Sequence, residues 1–148
     1  MTDVRPRARA LTTILAATLT ALGAAVSAGP LEKLSPVTDA MLLDPPPQDW
    51  LMWRRTLNAW GYSPLEEINR DNVAQLQLVW TRGVEPGIQE GTPLVHDGVL
   101  FFPHPRDIVQ AVDAATGDLL WEYRRTLPED IEKFINAPYI NRNLGIHG

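Results

Sequence analysis

Apolar and polar positions alternate most legibly over residues 92–124, where turn residues interrupt the pattern at regular intervals. Thr92–Val95 reads as a short strand, and His96-Asp97-Gly98 turns it, Asp-Gly being a strong hairpin signal. Val99–Phe102 follows as a second strand, Pro103–Asp107 as a longer turn, and Ile108–Val112 as a third strand. Ala114–Asp118 turns again into Leu119–Arg124. Four short strands at roughly ten-residue spacing, joined in sequence by turns, predict an all-β four-stranded antiparallel meander, the unit of a β-propeller blade. A small sandwich or barrel would share this periodicity.

Upstream the pattern is less regular. Gln77–Thr81 alternates and reads as a strand through Trp80. Asn69 suits the cap of a short helical turn through Asn72 and Val73 to Leu76, with Asp71 at its positive end. Trp50, Trp53, Trp60 and Tyr62 fall within thirteen positions, with Arg54 and Arg55 among them. Aromatic residues at this density read as structural anchors, since each ring buries a large apolar area. Residues 29–49 have no clear period and end in Pro45-Pro46-Pro47, which predicts an extended lead-in rather than a core element. Asp39–Asp44 suits one helical turn within it.

The first 28 residues stand apart. Arg5, Arg7 and Arg9 precede an apolar run from Ala10 to Ala25, and Val26-Ser27-Ala28 supplies small residues after it. Positive start, short apolar core and small-residue exit are the layout of a secretory signal peptide. The core is shorter and less apolar than the roughly 20 residues a spanning helix needs. The expected destination is the periplasm.

Composition narrows the function classes. The chain of 148 residues carries a formal charge of −5, which argues against a nucleic-acid partner. Residues 1–28 hold three of the 13 basic and one of the 18 acidic groups, leaving 10 and 17 and a charge of −7. With no cysteine there is no disulfide, thiolate nucleophile or cysteine-ligated metal, so burial must hold the fold together. His96, His104 and His147 lack metal-ligand spacing along the chain and read as solvated polar residues. No Gly-rich phosphate loop or Ser-centred nucleophile elbow is present.

Particular residues carry a resemblance. Ala111, Asp113, Thr116, Gly117 and Trp121 match the AxDxxTGxxxW tryptophan-docking repeat of quinoprotein propellers. Tyr62-Ser63-Pro64-Leu65, Ile68-Asn69, Asn72-Val73, Leu76 and Trp80 resemble the entry segment of the same proteins. Glu90-Gly91-Thr92-Pro93-Leu94-Val95 with Asp97-Gly98-Val99 resembles their next block, and Asn141-Arg142 resembles their N-R-G element. These motifs, in the family's order, cover residues 50–148, which resemble the N-terminal part of a pyrroloquinoline quinone (PQQ)-dependent alcohol dehydrogenase.

The resemblance implies a periplasmic propeller, typically of eight blades, with PQQ and usually calcium at its axis. It implies oxidation of an alcohol or related substrate by hydride transfer to PQQ, with cytochrome c or membrane quinone as electron acceptor. Glu90 and Arg142 are the implied PQQ contacts, and the paired donors of a guanidinium suit the three carboxylates of that cofactor. In this frame Gly117 makes the hairpin turn, Trp121 packs against the next blade, and Asp113 and Thr116 suit hydrogen bonds to the turn backbone.

There are departures. The adjacent cysteines that many members carry before the Arg are replaced by Asn136 and Ala137, and the Gly after N-R is Asn143. The family's calcium ligands and catalytic Asp belong to later blades, so no catalytic or metal residue is expected in this stretch. Asp107, Asp113 and Asp118 sit at turns, where Asp is expected anyway. The alternative reading is a non-catalytic periplasmic propeller-repeat scaffold or binding module. Glu90, Arg142 and the Tyr62–Leu65 segment favour the dehydrogenase.

The leader generates a direct prediction. N-terminal sequencing of the exported protein should begin near Gly29, and recovery of Met1 would refute cleavage.

Overall fold

A computed structural model describes Leu31, residues 34–134 and residues 141–148. The leader and the positions of Asn136 and Ala137 lie outside the described residues. One four-stranded sheet organises the rest: β1 (Leu94–His96), β2 (Val99–His104), β3 (Ile108–Asp113) and β4 (Leu119–Arg124), antiparallel and in sequential order. This is the expected meander, with Trp121 on its last strand. The first hairpin turns at Asp97 and Gly98, both at positive φ, as the Asp-Gly pair predicts.

Two boundaries move outward. His96 is a strand residue opposite Val99, rather than part of the turn. Pro103 also lies in β2, opposite Val109. A proline lacks the N–H a central strand needs. Here β1 reaches only as far as Phe101 on β2, so that side of Pro103 is an edge. Its carbonyl accepts the Gln89 side-chain amide at 2.6 Å instead.

Both faces of the sheet are covered at β3, whereas β4 is largely exposed. Ala111 and Val112 are neighbours on β3 and so point to opposite faces, yet each is fully buried. Phe101 and Val109 share the Ala111 face with Leu94 and Trp121, where Leu144, Gly145 and Ile146 line a cavity with them. On the Val112 face the segment from Trp80 to Glu85 crosses the sheet, with Arg82 donating to Gln110 Oε1 at 2.7 Å.

The docking repeat shows how the turn after β3 is built. Asp113 Oδ1 accepts the amides of Ala115 and Thr116, each at 2.9 Å, and Thr116 Oγ1 donates to Asp118 at 2.8 Å. Gly117 has φ +78°, and a Cβ there would meet the Trp80 ring at 2.6 Å. Trp80 therefore lies flat on the turn, and its indole N–H donates to Ala114 O at 3.1 Å. Arg82 reaches Gly117 O at 3.4 Å.

The lead-in departs from expectation. α1 (Asp39–Leu43) is the predicted helical turn, capped by the Thr38 hydroxyl on the Met41 amide. Val37, Asp49 and Leu51 are buried, which makes this segment part of the core. Trp50 pairs with Val95 through two backbone bonds of 2.8 and 2.9 Å, so the lead-in continues the sheet beyond β1. Arg55 holds it from behind, donating to Pro45 O at 2.9 Å. Prolines suit such a strap because they leave their carbonyls as acceptors and bring no N–H to satisfy.

Between the lead-in and the sheet the expectations divide. The short turn forms as a 3₁₀ helix over Val73–Gln75, with Asn69 accepting from Asp71. Gln77–Thr81 forms no strand, and Leu78 and Val79 are exposed. Among the described residues no strand lies beside this segment, and an extended chain without a partner has no ladder to complete. Trp53, Trp60 and Tyr62 are exposed as well, Trp60 at 73%. Most of their area is left uncovered by the described residues.

The Trp80–Gly117 contact should be sensitive to a single methyl group. Gly117→Ala combines a left-handed backbone with an overlap on the ring, and should destabilise the intact protein by about 2–4 kcal/mol. The shift of its urea midpoint measures this.

Candidate cofactor site

The expected site residues are far apart in sequence, and the loop before β1 brings them together. Gly91 packs where any Cβ would overlap the Pro103 ring, and it also lies close to Asn141 O. That close approach lets the Thr92 amide donate to Arg142 O at 3.0 Å. The tail is held again by Asp107, which accepts from the Asn141 side chain at 3.3 Å and from Arg125 at 3.2 Å. Asp107 adopts φ +58°, a conformation that Asp tolerates better than most residues.

So placed, Arg142 Nε donates to Glu90 Oε2 at 2.7 Å, a contact spanning 52 residues of sequence. Both side chains are exposed. Among the described residues Nη1 and Nη2 of Arg142 have no partner, so the paired end of the guanidinium faces outward. The two residues expected to touch a cofactor separately thus form one ion pair on an open surface.

Of the three histidines expected to be solvated, the fold buries two, His96 and His104. His96 is 1% exposed and Asp49, beside it, 2%. His96 Nδ1 lies 2.8 Å from Asp49 Oδ2, and Nε2 lies 2.8 Å from the Ser35 carbonyl. An ionised carboxylate and a carbonyl only accept, so both ring nitrogens are placed to donate, an arrangement that favours the imidazolium. Burial opposes that charge, but the Ser35 carbonyl, the Asp49 hydrogen bond and the charges of Asp97 and Asp49 outweigh it, and the His96 pKa is raised. Asp97 accepts the Ser35 amide at 2.8 Å and hydroxyl at 2.7 Å, which lowers its own pKa. Donor atoms of Asp49, His96 and Asp97 lie within 4.8 Å of one another, but protons already match them.

His104 is also buried, on the opposite face of the sheet, and stacks on Phe102 with centroids 4.6 Å apart. Burial pushes its pKa down, against the Gln110 side chain beside it, and neither ring nitrogen makes a hydrogen bond of good geometry. The imidazole is neutral here. Next to it Gln110 donates to Glu122, which Arg124 also binds, and together these lower the carboxylate's pKa. Arg124 bridges on to Glu85 at 3.0 Å. His147 is exposed and lies 3.3 Å from Asp39.

The docking residues divide by role. Ala111 is buried in β3, and Asp113 and Gly117 shape the turn as described. Trp121 is 45% exposed and stacks on Tyr123 at 6.3 Å, on the face that also bears Val109. Sequence reasoning missed Ser35 and Asp49 as partners of His96, because 61 and 47 residues separate them and no local pattern links them.

A family model for the β-propeller domain of PQQ-dependent glucose/ethanol/alcohol dehydrogenases matches residues 50–142. The chain belongs to this family. As a member of the PQQ dehydrogenase family it is 45% identical over 89 residues to the dehydrogenase subunit of a quinone alcohol dehydrogenase from Komagataeibacter europaeus, covering 60% of this chain and 12% of that protein. It is 39% identical over 103 residues to a 1-butanol dehydrogenase (quinone) from Thauera butanivorans, covering 68% and 16%. The solved quinohemoprotein alcohol dehydrogenase ADHIIG of Pseudomonas putida HK5 superposes with a TM-score of 0.69 at 30% identity, over 77% of this chain and 17% of that one. A europium-containing methanol dehydrogenase shares the fold, with a TM-score of 0.65 at 24% identity. The chain thus spans about one fifth or less of each of these proteins.

The Glu90–Arg142 pair is exposed, and exposed pairs contribute little to stability. Glu90→Gln should leave the denaturation midpoint of the intact protein within about 1 kcal/mol of wild type. A larger loss, measured by urea titration, would make the pair a structural tie instead.

Proposed function

We propose that this chain forms the front portion of a periplasmic PQQ-dependent dehydrogenase and supplies one side of its cofactor site. The carrying observation is the convergence of Glu90 and Arg142 at 2.7 Å on an open surface, with the outer guanidinium nitrogens unpartnered among the described residues. This donor set fits PQQ. Arg142 would hold a cofactor carboxylate through its paired outer N–H groups, and Glu90 would keep the guanidinium oriented while facing the same ligand. When bound, PQQ supplies an electron-poor quinone that accepts a hydride from the substrate. Gly91 and Thr92 fix the backbone on which both side chains stand, so the pair is organised before a ligand arrives.

The relatives' names support an alcohol as substrate, and one Thauera butanivorans relative is named for cytochrome c as acceptor. Calcium belongs to the same proposal, with its ligands and the catalytic Asp contributed by later blades. The exposed Trp60, Leu78, Val79 and Trp121 suit burial against those blades. A blade closes its faces only between neighbours, which accounts for apolar rings left uncovered in this chain.

Two measurements test the reading. In the intact dehydrogenase, Arg142→Ala should weaken PQQ binding about tenfold or more, the scale of one lost charge-assisted hydrogen bond. Unchanged affinity, followed by quenching of tryptophan fluorescence on adding PQQ, would overturn the assignment. The 148-residue chain alone, reconstituted with PQQ and calcium, should give no dye-linked alcohol oxidation above a blank. Turnover there would place the catalytic set within this stretch.

A further inference from the structure

We infer that His96, Asp49, Ser35 and Asp97 form a proton-held clasp that fastens the lead-in to the β1–β2 hairpin and loosens as the surroundings become alkaline. Three parts of the chain meet at this ring. Asp49 and Ser35 come from the lead-in, His96 from the end of β1, and Asp97 from the turn that follows. The two contacts that the ring itself makes across the junction depend on its holding two protons. The first goes to the Asp49 carboxylate at 2.8 Å and the second to the Ser35 carbonyl at 2.8 Å. Ser35 then completes the circuit by donating its amide and hydroxyl to Asp97.

Loss of one proton leaves a nitrogen lone pair facing an oxygen lone pair, and two carboxylates without their counter-charge. A buried charge stripped of its partner is costly, so deprotonation of the ring weakens the hold of the hairpin on the lead-in. The groups that act on the ring are Asp49 and Ser35 from the lead-in and Asp97 from the turn. Arg55 reaches the Pro45 carbonyl rather than the ring. His147 of the tail pairs with exposed Asp39, and His104 lies on the opposite face of the sheet.

The direction follows from linkage. The folded pKa of His96 is raised above its ordinary 6.5, so the closed state keeps a proton that the open state has lost. The clasp is at full strength below about pH 6.5 and weakens as pH rises through the folded pKa. Within that window the opening constant grows about tenfold per pH unit, the limit for one proton. The Trp50–Val95 bridge is next in the chain to both Asp49 and His96 and should open with the clasp.

The test is hydrogen–deuterium exchange of the intact protein from about pH 5.5 to about pH 9, corrected for intrinsic exchange and read in peptides spanning residues 35–50 and 93–98. Wild-type protection should fall by up to about tenfold per pH unit above 6.5, and His96→Gln should be low and flat. Asp97→Asn retains a residue tolerant of the positive φ of +47° and removes one supporting charge. Its loss of protection should therefore level off at lower pH, with a smaller total change than in the wild type, which decides the matter even where His96→Gln fails to fold. Wild-type protection that is flat with pH, or an Asp97→Asn profile identical to wild type, would overturn the clasp. So would zinc ion that restores protection at about pH 8, since a metal would then do what is assigned here to the proton.

Discussion

Burial of both faces of one small sheet is the constraint on which the rest of this structure depends. Ala111 and Val112 point in opposite directions from β3, and neither touches solvent. Four short strands cannot bury two faces by themselves, so other segments must be brought over them. The lead-in extends the sheet beyond β1, residues 80–85 cross one face, and residues 144–146 lie against the other. Each covering segment is anchored where its backbone meets the sheet closely. Gly117 admits the Trp80 ring, and Gly91 admits the Pro103 ring and the tail.

The same constraint explains what remains uncovered. Trp53, Trp60, Leu78, Val79 and Trp121 are apolar and exposed; the first four lie on segments that border the sheet, and Trp121 lies on its last strand, β4. Soluble domains seldom leave so many large apolar side chains in water without a partner surface. The family match supplies the context, since the matching proteins are several times longer and share this stretch as one part of a propeller. The blade is complete as a sheet and incomplete as a packing unit.

Charge is handled differently at the surface and inside. The Glu90–Arg142 pair stays wet, so its ions keep most of their hydration and remain available to a ligand. His96 and Asp49 are dry, and there each charge needs every hydrogen bond that the surroundings offer. Desolvation acts against the imidazolium, yet two well-placed acceptors and two carboxylates prevail. On the far face His104 has no such acceptors, and burial prevails. Two histidines eight residues apart are driven in opposite directions by the company each keeps.

Local chemistry in the sequence determined the four strands, their order, the Asp-Gly hairpin and the Asp113–Gly117 turn. Alternation, turn residues and side-chain-to-backbone hydrogen bonds all act within a few residues. The same residues carried the family resemblance, and with it Glu90 and Arg142 as site candidates. The structure alone decided that these two meet, because a loop and a tail 52 residues apart come together through the close approach at Gly91 and the backbone bond from Thr92 to Arg142. It also decided that Gln77–Thr81 is no strand here, since a strand exists only beside a partner. The lead-in became core and the solvated histidines became buried for one reason. Burial belongs to three-dimensional neighbours, and Ser35, Asp49 and His96 acquire theirs across distances that no sequence period spans.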